Sequence, residues 1–162
     1  MLHTADICDI QPDLATVCDL TLVSFGGSST FYGRIRTIRV FEDNTLVKQA
    51  IDVADSGTVL VVDGGGSRRC ALIGGNLARL AAARGVAGIV LNACVRDVEE
   101  LADVPIGIVA MGSCPRRSRK EGHGALGEVL RFGGVVWTPD HWVYADRDGI
   151  VLTPQAVKDA AE

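Results

Sequence analysis

No stretch of this 162-residue chain approaches the roughly 20 consecutive apolar residues that a membrane helix needs. Met1-Leu2-His3-Thr4-Ala5-Asp6 has neither the basic nor the apolar region of a secretion signal. These absences predict a soluble, cytoplasmic protein. No C-x-x-C spacing occurs among Cys8, Cys18, Cys70, Cys94 and Cys114, and their number is odd. Neither a disulfide framework nor a zinc knuckle is expected, and the cysteines read as buried free thiols. Basic charge is short: a net charge of −4 leaves no basic face for nucleic acid. No G-x-S-x-G segment supports a serine hydrolase, and neither His3 nor His141 has a nucleophile-elbow context. Asp63-Gly64-Gly65-Gly66 lacks both the Gly-Lys-Ser/Thr ending of a P-loop and the G-x-G-x-x-G of a dinucleotide site. Repeats and low-complexity linkers are missing too, so residues 1–162 read as one domain.

What is present describes a compact, turn-rich chain: 48% hydrophobic residues, 22% charged residues and 19 glycines. Ile35–Val40 interleaves apolar and basic residues as a half-exposed strand does, and Phe41-Glu42-Asp43-Asn44 turns into a helix running through Ala54. Thr58–Val62 is β-branched or apolar throughout, which predicts a strand buried on both faces, ended by Asp63-Gly64-Gly65-Gly66-Ser67. Leu77, Leu80, Ala81 and Arg84 recur at helical intervals, with Gly75 or Asn76 at the start and Gly85 as a left-handed C-terminal cap. Gly88–Val95 and Ile106–Met111 read as further buried strands. Gly134–Trp137, His141–Tyr144 and Gly149–Leu152 read as late hairpin strands separated by Pro139-Asp140 and Asp146–Gly149. The fold class that fits is α/β, with a parallel centre and surrounding antiparallel β elements.

Two places carry chemistry. A helix starting at Gly75-Asn76 directs unpaired N–H groups and its positive dipole end outward, the cradle of a carboxylate or phosphate, although a Gly-rich strand-to-helix turn explains Gly74-Gly75 equally. Arg96-Asp97 ends a continuous apolar run, and the Arg96 guanidinium can grip the same anion bidentately. Asp97 reads in two ways. It is the N-cap of a capping box with Glu100 at N3, or it is an oxygen ligand for Mg²⁺ or Mn²⁺ whose shell a chelating 2-oxo acid completes. Arg116-Arg117-Ser118-Arg119-Lys120 reads as a solvated loop after Pro115, and His123 as a loop histidine that could line a cleft.

Ser24-Phe25-Gly26-Gly27, Phe41-Glu42-Asp43-Asn44, Val61–Ser67, Phe132-Gly133-Gly134-Val135, Tyr144-Ala145-Asp146 and Asp148-Gly149-Ile150 together resemble the RraA-like family, in order along nearly the whole chain. That family holds the regulator of ribonuclease E activity and the class II 4-hydroxy-4-methyl-2-oxoglutarate aldolases, which also decarboxylate oxaloacetate. The resemblance implies a swivelling β/β/α domain assembled as a ring-shaped homotrimer. The enzyme branch is marked by G-x20-R-D-x2-E/D, which stands here as Gly75, Arg96, Asp97 and Glu100. By resemblance, Gly74-Gly75-Asn76-Leu77 cradles the substrate carboxylate, Arg96 binds the pyruvoyl part, Asp97 ligates the divalent metal, and Glu100 is an outer-shell base or a cap. The regulator branch has a neutral residue at the metal position, so Asp97 points to the aldolase, with a ribonuclease E inhibitor as the alternative. Two departures stand out: many aldolases of the family carry aspartate at the position of Gly75, and the longer ones add a C-terminal carboxylate beyond the position of Glu162. Nothing in these residues favours a menaquinone-pathway methyltransferase.

Overall fold

The computed structural model describes residues 1–158. The elements run α1 (Thr4–Ile10), β1 (Thr16–Val17), β2 (Val23–Ser24), β3 (Phe31–Arg39), α2 (Thr45–Asp52), β4 (Thr58–Asp63), β5 (Ala71–Ile73), α3 (Gly75–Ala83) and β6 (Gly88–Val95). They continue with α4 (Val98–Leu101), β7 (Gly107–Ser113), β8 (Ala125–Leu126), β9 (Leu130–Phe132), β10 (Val135–Trp137), β11 (Trp142–Ala145) and β12 (Ile150–Thr153). One mixed sheet follows the order β1-β12-β11-β3-β4-β6-β7-β2, with β5 added to β6 and β8 to β3. Its centre, β3-β4-β6-β7, is parallel, and the flanking pairs are antiparallel. This is the expected α/β class. No helix among the described residues is long and apolar enough to cross a membrane.

The period of two along each strand sorts side chains into two cores. Leu60 and Val62 of β4 join Ile38, Ile89 and Leu91 under α2, α3 and α4, where Val47, Ile51, Ala78 and Leu101 are buried. Val59 and Val61 point the other way, against Ile35, Val90, Leu130 and Trp137. The β9–β10 hairpin covers that face, with Trp137 fully buried, stacked on Phe132 and donating from Nε1 to the Phe132 carbonyl at 3.0 Å. Hairpin, sheet and helices thus stack as β/β/α layers. The two-residue turn of that hairpin is Gly133-Gly134, φ 65° and 71°, a conformation open to glycine at both positions. Gly134 therefore belongs to the turn, not to the strand expected there. Pro139-Asp140 also departs from expectation: β10 pairs with β9 and β11 with β3 and β12, so that turn links strands that are not partners.

Helix α3 ends as its sequence predicts. Gly85 has φ 78°, its N–H reaches the Ala82 carbonyl, and the Val86 N–H reaches that of Ala81, closing the last turn. Cys70 and Cys94 are buried, and burial pushes both thiols up; Cys8, Cys18 and Cys114 are only half-buried, so the expectation of buried thiols holds for two of the five.

Candidate active site

The parallel strands deliver their carboxyl ends to one place, the usual position of a binding site in an open α/β sheet. Ile73 of β5 leads directly into Gly74 and α3, β6 ends at Arg96-Asp97, and β7 is followed by the segment 114–120. The turn after β3 adds Asn44. A cleft of about 160 Å³ lies between them, lined by Asn44, Leu72, Gly74, Asn76, Leu77, Arg96, Asp97, Arg117, Ser118 and Lys120, with Ala71 at its base. That is the size for a small organic acid, well below the roughly 300 Å³ at which drug-sized pockets begin.

Arg96 and Asp97 meet the start of α3 as the spacing suggests. The Gly75 N–H donates to Asp97 Oδ2 at 2.9 Å, and the Arg96 N–H donates to the Ile73 carbonyl at 2.9 Å. Gly74 makes the approach possible: a Cβ there would stand 2.7 Å from Asp97 Oδ2 and 3.3 Å from Arg96 Cγ. The N–H groups of Asn76 and Leu77, next in the helix, donate to no protein group among the described residues, since the first intrahelical bond is Ala78 N–H to the Gly74 carbonyl.

The capping box is overturned. Asp97 precedes α4 but adopts φ 57°, ψ 43°, and its side chain makes no capping bond there. The left-handed backbone turns the carboxylate away from α4 and onto α3 instead. Glu100 does not reach back either; its Oε2 accepts from Arg79 at 3.1 Å. That places the Glu100 carboxylate against Gly75, where the first atom of any side chain at position 75 would lie. Glu100 is outside the lining of the cleft, as is Gly75, whose N–H is engaged by Asp97.

The basic run 116–120 is a loop exposed at every position but Ser118, as its charge predicts, yet its backbone is pinned: the Ala71 N–H donates to the Arg116 carbonyl at 2.7 Å, the Arg119 N–H to the Glu42 carbonyl at 2.9 Å, and Ser118 is buried. Asn44 donates from its N–H to Ser118 Oγ at 3.1 Å and from Nδ2 to the Leu72 carbonyl at 3.0 Å, and its Oδ1 accepts from Lys120 Nζ at 3.1 Å. Beneath it, buried Asp43 accepts from the Thr45 N–H with Oδ1, and from the N–H groups of Glu121 and Gly122 with Oδ2 at 2.8 and 2.9 Å. Burial alone would raise the Asp43 carboxyl, but the bonds from Thr45, Glu121 and His123 outweigh it and hold the group well below the usual carboxylate range. The signal for these residues was the Phe41-Glu42-Asp43-Asn44 motif, which read as a turn and as part of the family resemblance but not as part of the site. His123 stays exposed beside Glu121 and does not line the cleft.

The donor set limits which metal could sit here. Among the described residues no group of three or more His, Cys, Asp and Glu side chains could hold an ion. Asp97 offers one carboxylate whose Oδ1 accepts no bond among them. A zinc site is unsupported by such a set; a hard cation that keeps most of its waters and takes the rest of its shell from substrate fits it.

The sequence model of the RraA-like family, described as Aldolase/RraA, matches residues 4–152. The chain is 45% identical over 157 residues, 97% of its own length and 99% of the other's, to a protein of Bacillus cereus provisionally named a 4-hydroxy-4-methyl-2-oxoglutarate aldolase. Two solved structures superpose on it closely. One, from Geobacillus kaustophilus HTA426, is described as an S-adenosylmethionine: 2-dimethylmenaquinone methyltransferase (TM-score 0.96, 49% identity, 98% of this chain and 100% of that one). The other is the RNA-processing inhibitor RraA from Thermus thermophilis (TM-score 0.95, 44% identity, 99% and 97%).

Proposed function

The chain belongs to the RraA-like family, and from that premise we propose that it is a divalent-metal-dependent lyase. It would cleave 4-hydroxy-4-methyl-2-oxoglutarate to pyruvate and decarboxylate oxaloacetate through the same enolate. The observation that carries this reading is the Asp97 carboxylate held on the Gly75 N–H beside Arg96, at the mouth of an amide-lined helix start. The free N–H groups of Asn76 and Leu77 take the substrate's C1 carboxylate. The Arg96 guanidinium, lying over Gly74, faces the 2-oxo oxygen and stabilises the negative charge that gathers there as the C3–C4 bond breaks. In the aldol substrate the 4-hydroxyl gives up its proton as that bond opens; in oxaloacetate the C4 carboxylate leaves as CO₂. Either way a proton returns to C3, carried by water in the cleft. Asp97 Oδ1 is the group that would hold Mg²⁺ or Mn²⁺, which when bound supplies Lewis acidity toward the carboxylate and 2-oxo oxygens. Glu100, paired with Arg79 outside the cleft lining, would act on the site only through water, as an outer-shell carboxylate.

A lactate-dehydrogenase-coupled pyruvate assay tests the reading. Asp97→Asn should abolish turnover while the circular dichroism and melting curve stay those of the wild type, and EDTA should silence the wild type until Mg²⁺ is restored. Arg96→Ala should lower kcat/KM by about 10²–10³-fold. Undiminished pyruvate release by the Asp97 variant would sink the mechanism. The resemblance adds a cytoplasmic homotrimer, which sedimentation equilibrium on the 17.1 kDa chain checks.

Methyl transfer is not supported by the glycine loop after β4. Its N–H groups are used internally, Gly64 and Gly66 donating to the Asn92 carbonyl and Gly65 to Asp63 Oδ1, so it offers no cradle to a nucleoside cofactor. The second reading, a non-catalytic trimer that binds and inhibits ribonuclease E, is favoured by the closeness to the Thermus RNA-processing inhibitor. Co-sedimentation with the endonuclease's C-terminal region separates the two: an inhibitor keeps binding in the Asp97→Asn variant and releases no pyruvate as wild type.

A further inference from the structure

The chain is acidic overall, with a net charge of −4, yet its cations are gathered unevenly. The loop after β4 (residues 64–70) and the segment after β7 (residues 114–119) carry five arginines and no acidic residue. The two run side by side at the carboxyl ends of the parallel strands. Arg68 Nη1 stands 2.9 Å from where a Cβ on Gly112 would be, and the Ala71 N–H donates to the Arg116 carbonyl at 2.7 Å. Arg117 lines the cleft, whereas Arg68, Arg69, Arg116 and Arg119 are exposed outside its lining. Phe41 lies among them, 57% exposed, against Gly65 and with the Arg69 guanidinium 5.7 Å from its ring centroid. One exposed ring is ordinary on a protein surface. A ring set among guanidinium groups has the composition of an interface centre, where aromatic residues and arginine are enriched.

Glu42 ties the two loops into one rim. Its backbone is left-handed, φ 54°, a conformation that costs a glutamate strain and is kept only where the surroundings impose it. Its carboxylate, 12% exposed, accepts from Ser67 Oγ at 2.7 Å, pairs with Arg69, and lies 3.9 Å from Arg119 Nη2; its carbonyl accepts from the Arg119 N–H at 2.9 Å. Among the described residues it is the one carboxylate within ion-pair distance of any of the five arginines. Arg68 and Arg116 are left unpaired, so the rim stays positive around an open aromatic ring.

We infer that this rim docks an acidic segment of a partner protein, with an apolar side chain on Phe41 and carboxylates on Arg68 and Arg116. Charge complementarity selects the acidic partner, and guanidinium forks match carboxylates in geometry as well as sign. A nucleic acid fits less well. It would bring a charge on every residue into the field of an acidic chain, and the rim offers its bases a single exposed ring.

Fluorescence anisotropy tests this with a fluorescein-labelled twelve-residue peptide of glutamate and leucine. The same peptide with glutamine for glutamate, and a labelled oligouridylate of twelve nucleotides, run beside it. The wild type should bind the glutamate peptide, more weakly as NaCl is raised, and bind the other two less tightly. Arg68→Gln and Arg116→Gln should each weaken binding by about three- to tenfold, and Phe41→Ser by about tenfold with the salt dependence kept. All three side chains are exposed, so the variants should melt as the wild type does. Arg84→Gln removes an equal charge at the far end of α3 and should change the affinity by less than about twofold. Absence of binding, equal binding of the glutamine peptide, or an Arg84→Gln loss as large as that of Arg68→Gln overturns the docking rim. Tighter binding of the oligouridylate overturns it as well and gives the rim to nucleic acid.

Discussion

Gly74 shows how a missing side chain can organise two present ones. Its backbone, φ −128° and ψ −167°, is extended and open to any residue, so the glycine is not required by conformation. It is required by space, because a methyl group there would meet the Asp97 carboxylate and the Arg96 stem. Asp97 itself sits at φ 57°, a left-handed conformation that aspartate tolerates at some cost and that aims its carboxylate across to α3. Gly74→Ala therefore tests placement without deleting any functional group. The carboxylate is free to swing away, so the melting curve should change little, by no more than about 1 kcal/mol of stability. Pyruvate release should fall by about 10²-fold, the usual consequence of misplacing reacting groups by an ångström. A wild-type kcat/KM in this variant would show that the Asp97–Gly75 contact is dispensable.

At the scale of elements, legibility depended on whether the deciding contact was local. The apolar run of β4, the Gly85 stop of α3 and the strand ending at Val95 are set by neighbours a few residues away, and each lies where its pattern indicates. Asp97-x-x-Glu100 also looked local, yet its partners are Gly75 and Arg79, about 20 residues upstream, and no cap forms. The run 116–120 was read from its charge, while what decides it is main-chain pairing to Ala71 and Glu42. Strand β5, three residues long, exists because β6 offers it an edge. The same non-local logic governs Phe31, at the start of β3. Its ring lies on Gly88 and Gly107, which face each other at the starts of β6 and β7, and it is 5% exposed. Phe31→Ala should cost about 3–5 kcal/mol, seen as a lower urea midpoint. Gly88→Ala should also lower it, since the ring fills the space a methyl would need and is packed in the core beyond. An unchanged midpoint in both would mean that this contact does not hold the strand starts together.

For the molecule as a whole, two carboxylates tie distant parts of the chain to the sheet, and both are sensitive to acid. Asp43 joins the turn before α2 to residues 121–123. Asp146 joins the first residues of α1 to the β11–β12 turn, accepting from the Thr4 N–H at 2.8 Å, from Thr4 Oγ1 at 2.7 Å and from the Asp148 N–H at 2.9 Å. Burial would raise both carboxyls, but the donated hydrogen bonds outweigh it and both lie below their ordinary value. A depressed folded-state pKa means that the unfolded chain binds the proton first, so each group's stabilisation is complete above the unfolded value, about 3.9, and is lost as the pH falls below it. Stability measured by urea unfolding should accordingly drop steeply from about pH 4 downward. Asp43→Asn should be less stable than the wild type at pH 7, with the gap closing toward pH 2–3, because the amide has no proton left to gain. Asp146→Asn should do the same while additionally loosening α1, visible as faster amide exchange at Ile7 and Cys8. If wild type and variants ran parallel from pH 7 to pH 2, the acid sensitivity would lie elsewhere, in the exposed ion pairs that salt screens, and 0.5 M NaCl would then flatten the same limb in all three proteins.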